Sequence, residues 1–197
     1  MRMFIALPLP DAVKEDLSEF LEPRQEDGRA RGTLPGLRWS LPEQWHLTLG
    51  FLPDVADRHI DELHDRLARV ATRRQPMWLR VAGAGAFPNV AAAKVLWAGV
   101  EHDGEELMRL AGGVRAAGAK SGAEVGGGRF HPHLTLARLA PPVDVTHWMR
   151  VLDSYAGPSW EATEVALIAS YLGEGRHGTA RHEVREMFQL GPLNPKN

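Results

Sequence analysis

The chain has 197 residues, of which 44% are hydrophobic and 24% charged, a size and composition that suit one folded domain or two small lobes and disfavour disorder. Lys plus Arg (23) against Asp plus Glu (25) leaves a net charge of −2, so the chain lacks the basic excess that a non-specific grip on duplex nucleic acid requires. There is no cysteine, which excludes disulfide scaffolds, zinc–thiolate sites and thiol nucleophiles.

"MFIALPLP" reads as an opening strand that stops at Pro10. Asp11 caps a helix through about Leu21, with Val13, Leu17, Phe20 and Leu21 on one stripe and Glu22-Pro23 ending it. "RQEDGRARGTLPG" follows as a mobile polar loop. Arg24, Arg29, Arg31 and Arg38 make a basic run around it, a pattern that fits a solvated loop or a local basic rim. A short strand at "LRWS" leads to "WHLTLGFL", and Ile60, Leu63, Leu67 and Val70 then recur at helical spacing. "MWLRVAG" and "KVLWAGV" predict two strands joined by the loop "AGAFPNVAAA". A helix over 105–119 presents Leu107, Leu110 and Val114 before a flexible "GGGR", which leads into "FHPHLTLAR". A short helix at "VTHWMRVLDSY" and a closing hairpin, "ATEVALIASYL" with "ARHEVREMFQL", complete the chain. Helices and strands mix without strict alternation, so the expected class is α+β with mainly antiparallel sheet. No apolar run approaches the length of a membrane span, and the opening is too short in apolar residues for a signal peptide. The expectation is a cytoplasmic protein with no membrane partner.

The phrase His-Leu-Thr-Leu occurs twice, at His46 and, 87 positions later, at His133. Nine His and seven Thr predict about 0.3 His-x-Thr pairs by chance, and a lone pair in a strand is usually structural; two pairs with matching apolar neighbours point toward function, although a duplicated structural strand would give the same echo. In a regular strand, Trp45, Leu47, Leu49 and Phe51 share one face and His46, Thr48 and Gly50 the other. In the second copy His131, His133 and Thr135 oppose Leu134 and Leu136. Gly50 and Ala137 would extend the two polar faces with almost no bulk. Displacement at phosphorus needs a base on the attacking side and an acid behind the leaving oxygen, which two facing strands can supply. An imidazole suits either role near neutral pH, and a threonine hydroxyl can donate to a phosphoryl oxygen where charge builds. Two such histidines predict a bell-shaped pH profile with limbs within about two units of neutrality.

These motifs, with "MRMFIALPLP", "LRWSLPEQWHLTLGFL", "GAFPN", "VLWAGVE" and "LIASYLG", resemble the RNA 2′,3′-cyclic phosphodiesterases of the 2H phosphoesterase superfamily, formerly called 2′–5′ RNA ligases. The resemblance runs nearly end to end. It implies a single bilobal catalytic domain over 1–197, with two antiparallel sheets facing a central cleft, helices outside and one His-x-Thr motif in each lobe. It implies hydrolysis of an RNA or nucleotide 2′,3′-cyclic phosphate to a 2′-phosphomonoester without metal or other cofactor, with reverse 2′–5′ ligation as a possible side activity. His46 would be the proton donor and His133 the acceptor, while Thr48, Thr135 and Arg138 would bind the phosphate. In a regular strand, however, Arg138 falls opposite His133 and Thr135. Where relatives often carry Arg before the second motif this chain has His131, and where they often carry Tyr in the last strand it has His182.

His131, Phe87 and Trp39 are candidate substrate contacts, the aromatics as platforms for a base. Trp97, between Leu96 and Ala98, is expected to be buried. His59, His64, His102, His147 and His177 read as solvated. Two alternatives stay open: a non-catalytic binder of RNA ends or nucleotides, and a metal-dependent phosphoesterase using the His131-x-His133 spacing. No obligate protein partner is expected, and the chain is expected to be a monomer.

Overall fold

The computed structural model describes residues 1–30, 36–175 and 178–191, with residues 27–30 described as backbone only. Among the described residues, nine strands and four helices follow the order β1 (Met3–Pro8), α1 (Asp11–Ala30), β2 (Leu37–Trp39), β3 (His46–Leu52), α2 (Ile60–Ala71), β4 (Met77–Phe87), β5 (Ala93–His102), α3 (Glu106–Lys120), β6 (His133–Val143), α4 (Thr146–Leu152), β7 (Ala156–Ala162), β8 (Glu164–Tyr171) and β9 (Arg181–Gln189). The strands form two wholly antiparallel sheets, a first of order β3-β1-β8-β9 and a second of order β2-β6-β5-β4-β7. The expected α+β class with two antiparallel sheets therefore holds, and β3 and β6, the two His-x-Thr strands, lie in different sheets.

Each sheet is amphipathic and buries one face under helices. Leu63, Leu67, Leu110 and Val114 of α2 and α3 cover the first sheet beside Ile5, Leu47 and Leu52. Val13 and Leu17 of α1, with Trp148 and Leu152 of α4, cover the second beside Leu79, Leu96 and Leu136. The Tyr155 hydroxyl, which donates to Asp16 Oδ1 at 2.6 Å, ties α1 to the turn before β7. The helix-free face of the first sheet carries its own small apolar patch of Phe4, Ala6, Ala166 and Ile168, joined by Phe51 and Met187.

Four features depart from the sequence pattern. Helix α1 does not stop at Pro23 but continues to Ala30, taking in much of the expected mobile loop. The Arg24 guanidinium lies 3.8 Å over the Phe20 ring and donates to the Phe20 carbonyl at 2.6 Å, supporting the turn that the proline weakens. Arg24 is thus a helix-bracing residue rather than part of a basic rim, while the Arg29 side chain, Arg31 and His177 lie outside the described residues. Strand β4 absorbs the expected loop as far as Phe87. Strand β7, unexpected because Gly157 and Pro158 interrupt its pattern, forms the edge of the second sheet, where a missing N–H is tolerated. The "GGGR" segment is anchored, since Gly126 N donates to Phe51 O at 2.8 Å.

Both motif strands carry a β-bulge at the same place. Ile5 pairs with Gly50 and Ala6 with Thr48, leaving Leu49 as the extra residue; Leu96 pairs with Ala137 and Trp97 with Thr135, leaving Leu136. One extra residue exchanges the faces of everything beyond it. Ala137, expected on the polar face, is therefore turned to the core, and a Cβ at Gly50 would meet Ile5 and Val114 of the core. Phe51, expected in the core, joins the patch of Phe4 instead.

Candidate active site

The two motif histidines have similar backbone surroundings. His133 Nδ1 lies 2.7 Å from the carbonyl of His131, two residues earlier, and the Gln44 backbone, likewise two residues earlier, favours the protonated form of His46. A ring N–H given to a carbonyl fixes which nitrogen keeps the proton, so on a neutral His133 the lone pair is left on Nε2. The charge of His133 reaches His46 although the two come from different sheets, and β3 and β6 touch. Thr48 and Thr135 stand two residues along the same faces, both half-buried. Their cross-strand neighbours leave space beside the histidines: Ala6 opposite Thr48, and Gly99 opposite His133. A Cβ on Gly99 would lie 2.5 Å from the Ala82 carbonyl oxygen, so the position must stay bare.

The surroundings differ. His46 stacks on Phe4 with centroids 4.4 Å apart and meets His182 edge-on at 5.6 Å. Gln44 Nε2 donates to Ala180 O at 3.0 Å, so the first sheet curls until the start of β3 meets the start of β9 across its face. Burial drives the His46 pKa down to about 4, the like charge of His182 and, more weakly, of His133 adding to the effect against the bond to Gln44. The His133 pKa is also lowered, first by burial and then by His131 and Arg138, against the bond to the His131 carbonyl. Both imidazoles of the free protein are consequently neutral at pH 7.

The bulge at Leu136 decides the position of Arg138. By strict alternation it would face away from His133; the extra residue returns it to the cleft face, exposed and close enough for its charge to depress the His133 pKa. Beside it, in direct cross-strand register, stands Arg38, also exposed. Arg38, expected in a solvated loop or basic rim, instead lies in β2, in alternation with Trp39. Trp39 itself, expected as a base platform, pairs with buried Ala137 and packs edge-on against Trp148 of α4 at 4.8 Å, on the core side. Phe87 and His131 do line the cleft, with Phe87 5.1 Å from the His133 ring and His131 4.7 Å from the Trp97 ring.

Trp97, expected to be buried in the core, is instead half-buried on the cleft face, 5.4 Å from Phe87. It fits there because residue 85 is glycine, where a Cβ would fall 1.9 Å from the indole. Among the described residues no set of three His, Asp or Glu side chains is arranged to hold a metal ion, so His131 and His133 lack a third donor. No helix there is long and apolar enough to cross a membrane. His102, expected to be solvated, has a buried Nδ1 without a partner.

Two antiparallel sheets, each presenting a histidine and a threonine to a common cleft, define the class. The sequence profile of the 2′-5′ RNA ligase superfamily matches residues 10–174, and the chain belongs to that family. An RNA 2′,3′-cyclic phosphodiesterase of Thermus thermophilus is 34% identical over 181 residues, which are 87% of this chain and 83% of that protein. One from Geobacillus stearothermophilus is 34% identical over 135 residues, 68% of this chain, and the match spans 41% of that relative's length. A crystal structure of a Thermus thermophilus protein superposes with a TM-score of 0.76 at 28% identity, covering 98% of this chain and 100% of that one.

Proposed function

We propose that the protein is a hydrolase that opens the 2′,3′-cyclic phosphate of RNA ends or nucleotides to a 2′-phosphomonoester, with both sheets acting as one catalytic unit and no metal taking part. The observation that carries this reading is that the two His-x-Thr strands, β3 and β6, belong to separate sheets and touch, with His133 tethered to the His131 carbonyl at 2.7 Å. The names of the relatives supply the substrate class.

In the reaction His133 Nε2 takes a proton from water as its oxygen bonds to phosphorus, and His46 gives a proton to the ribose 3′-oxygen as the P–O3′ bond breaks. Thr48 and Thr135 donate to the non-bridging oxygens, and Arg138 adds a charge-assisted contact. His46, with a pKa of about 4 in the free protein, acquires its proton only as the anionic phosphate enters and offsets the burial of an imidazolium. Acid–base competence is thereby tied to an occupied cleft.

The test is a short RNA ending in a 2′,3′-cyclic phosphate, incubated with the protein and a chelator. Turnover to a 2′-phosphate end is expected. Activity that vanishes with chelator and returns with zinc or manganese would overturn the metal-free mechanism, and saturable binding without turnover would make the protein a binder of RNA ends.

A further inference from the structure

On the first sheet, three polar side chains share a row that faces the cleft and lack hydrogen-bond or ion-pair partners among the described residues. Ser170 N donates to the Arg2 carbonyl at 3.0 Å, and Ser170 is the cross-strand neighbour of His182, so the row runs from the residue before β1 across β8 to β9. By alternation it lies on the face of Phe4 and Ile168, the patch on which His46 stacks. The Ser170 side chain is only 6% exposed, and its Oγ has no hydrogen-bond partner. Nδ1 of His182 is buried and equally unsatisfied. The Arg2 guanidinium lies over the Phe51 ring, 4.7 Å from its centroid, and among the described residues no carboxylate comes within ion-pair distance of it.

Buried polar groups are nearly always satisfied, so a row of unsatisfied donors points to a partner from outside the protein. Some surface arginines are paired, Arg80 with Glu101 and Arg181 with Glu174 and Glu183, and the row has no such carboxylate. It holds a guanidinium, a hydroxyl and an imidazole, all able to donate, and no protein anion to receive them.

We propose that Arg2, Ser170 and His182 form a second phosphate subsite, which takes the phosphate on the ribose 5′-oxygen of the nucleotide whose cyclic phosphate is opened between His46 and His133. The direction rests on the function proposed above. If His46 protonates the leaving ribose oxygen, the ribose lies on the His46 side of the cleft, and its 5′-phosphate continues along the same sheet. His182, 5.6 Å from the His46 ring, stands where that continuation leads. Two sources share this chemistry: a 5′-phosphomonoester on a mononucleotide and the 5′-phosphodiester of an RNA chain.

The experiment compares kcat/KM for three substrates: a nucleoside 2′,3′-cyclic phosphate with a free 5′-hydroxyl, the same compound 5′-phosphorylated, and a dinucleotide ending in the cyclic phosphate. A roughly 10–100-fold preference for a substrate with a 5′-phosphate is expected, falling toward unity in Arg2→Gln and in His182→Phe, which keeps an aromatic ring against His46. Preference for the phosphorylated mononucleotide over the dinucleotide assigns the subsite to a monoester, and the reverse order assigns it to the chain. A ratio near one in the unmodified protein, or a preference that survives both substitutions, overturns the subsite. If no cyclic phosphate is turned over at all, the catalytic reading fails and a second measurement decides the subsite: the His182 ring resonances during titration with inorganic phosphate. A saturable shift that Arg2→Gln abolishes supports the subsite, and an unresponsive His182 rejects it.

Discussion

Five residues after its histidine, the first His-Leu-Thr-Leu strand carries Phe51 and the second carries Arg138, and the two half-sites diverge from that point. Around His46 the neighbours are aromatic and apolar: Phe4 beneath, His182 at the edge, and Phe51 within the same patch. Around His133 they are cationic and aromatic, with Arg138 and Arg38 in register and with Phe87, Trp97 and His131 ringing the cleft wall. A shared motif thus sets where an imidazole and a hydroxyl stand, while its surroundings set the cost of protonation. The half-site without an arginine in its motif is the one whose histidine is pushed furthest from charge, to a pKa of about 4.

The largest test of this asymmetry removes each histidine. His46→Ala and His133→Ala should each lower kcat/KM on a cyclic phosphate by roughly 10²–10⁴-fold. On a phosphodiester with an activated phenolate leaving group the loss should shrink sharply for His46→Ala alone, because a good leaving group departs without a proton. Selective rescue of His133→Ala would exchange the two roles. Next, Thr48→Val and Thr135→Val should each cost roughly 10²–10³-fold in kcat with the fold intact by circular dichroism. Full activity in either protein would reduce that threonine to packing.

Protonation sharpens the comparison further. Because both motif histidines have lowered pKa values, the free protein carries the single shared proton only at acid pH, so the kcat/KM optimum should fall below 6.5 and nearer acid than a neutral-centred bell. The limbs describe the coupled pair rather than either residue. Stability should follow the same shift. Above pH 6.5 His46 is neutral in both folded and unfolded chains; as pH falls from 6.5 toward 4 only the unfolded chain takes up the proton, so stability declines through that window. The loss approaches about 3 kcal/mol at the foot of the window, and urea titrations of the unmodified protein and His46→Phe should differ in slope there. Equal slopes would mean that His46 is not held neutral by the fold.

The smallest effect probes the wall of the second half-site. Gly85→Ala forces the Trp97 indole to move, since the new Cβ would lie 1.9 Å from it. The expected destabilisation is about 1–3 kcal/mol, with KM rising more than kcat falls, because Trp97 lines the cleft rather than the core. An unchanged melting temperature would show that the indole has room elsewhere.

Much of this was legible in local pattern. Alternation in "HLTL" puts His46 with Thr48 and His133 with Thr135 on faces opposite their leucines, and helical spacing of Ile60, Leu63, Leu67 and Val70 places α2. Those regularities are properties of one segment and survive in any fold that buries one face. What the sequence could not decide depends on two segments at once. The bulges at Leu49 and Leu136 exist only in the pairing of β3 with β1 and of β6 with β5, yet they turn Gly50 and Ala137 inward, Phe51 outward and Arg138 into the cleft. The room for Trp97 is made by Gly85 on the neighbouring strand, and the meeting of His182 with His46 depends on the curl of a whole sheet. Side-chain direction along a strand is set by covalent geometry every second residue, whereas register, bulge and curl follow from the packing of strands and helices against one another.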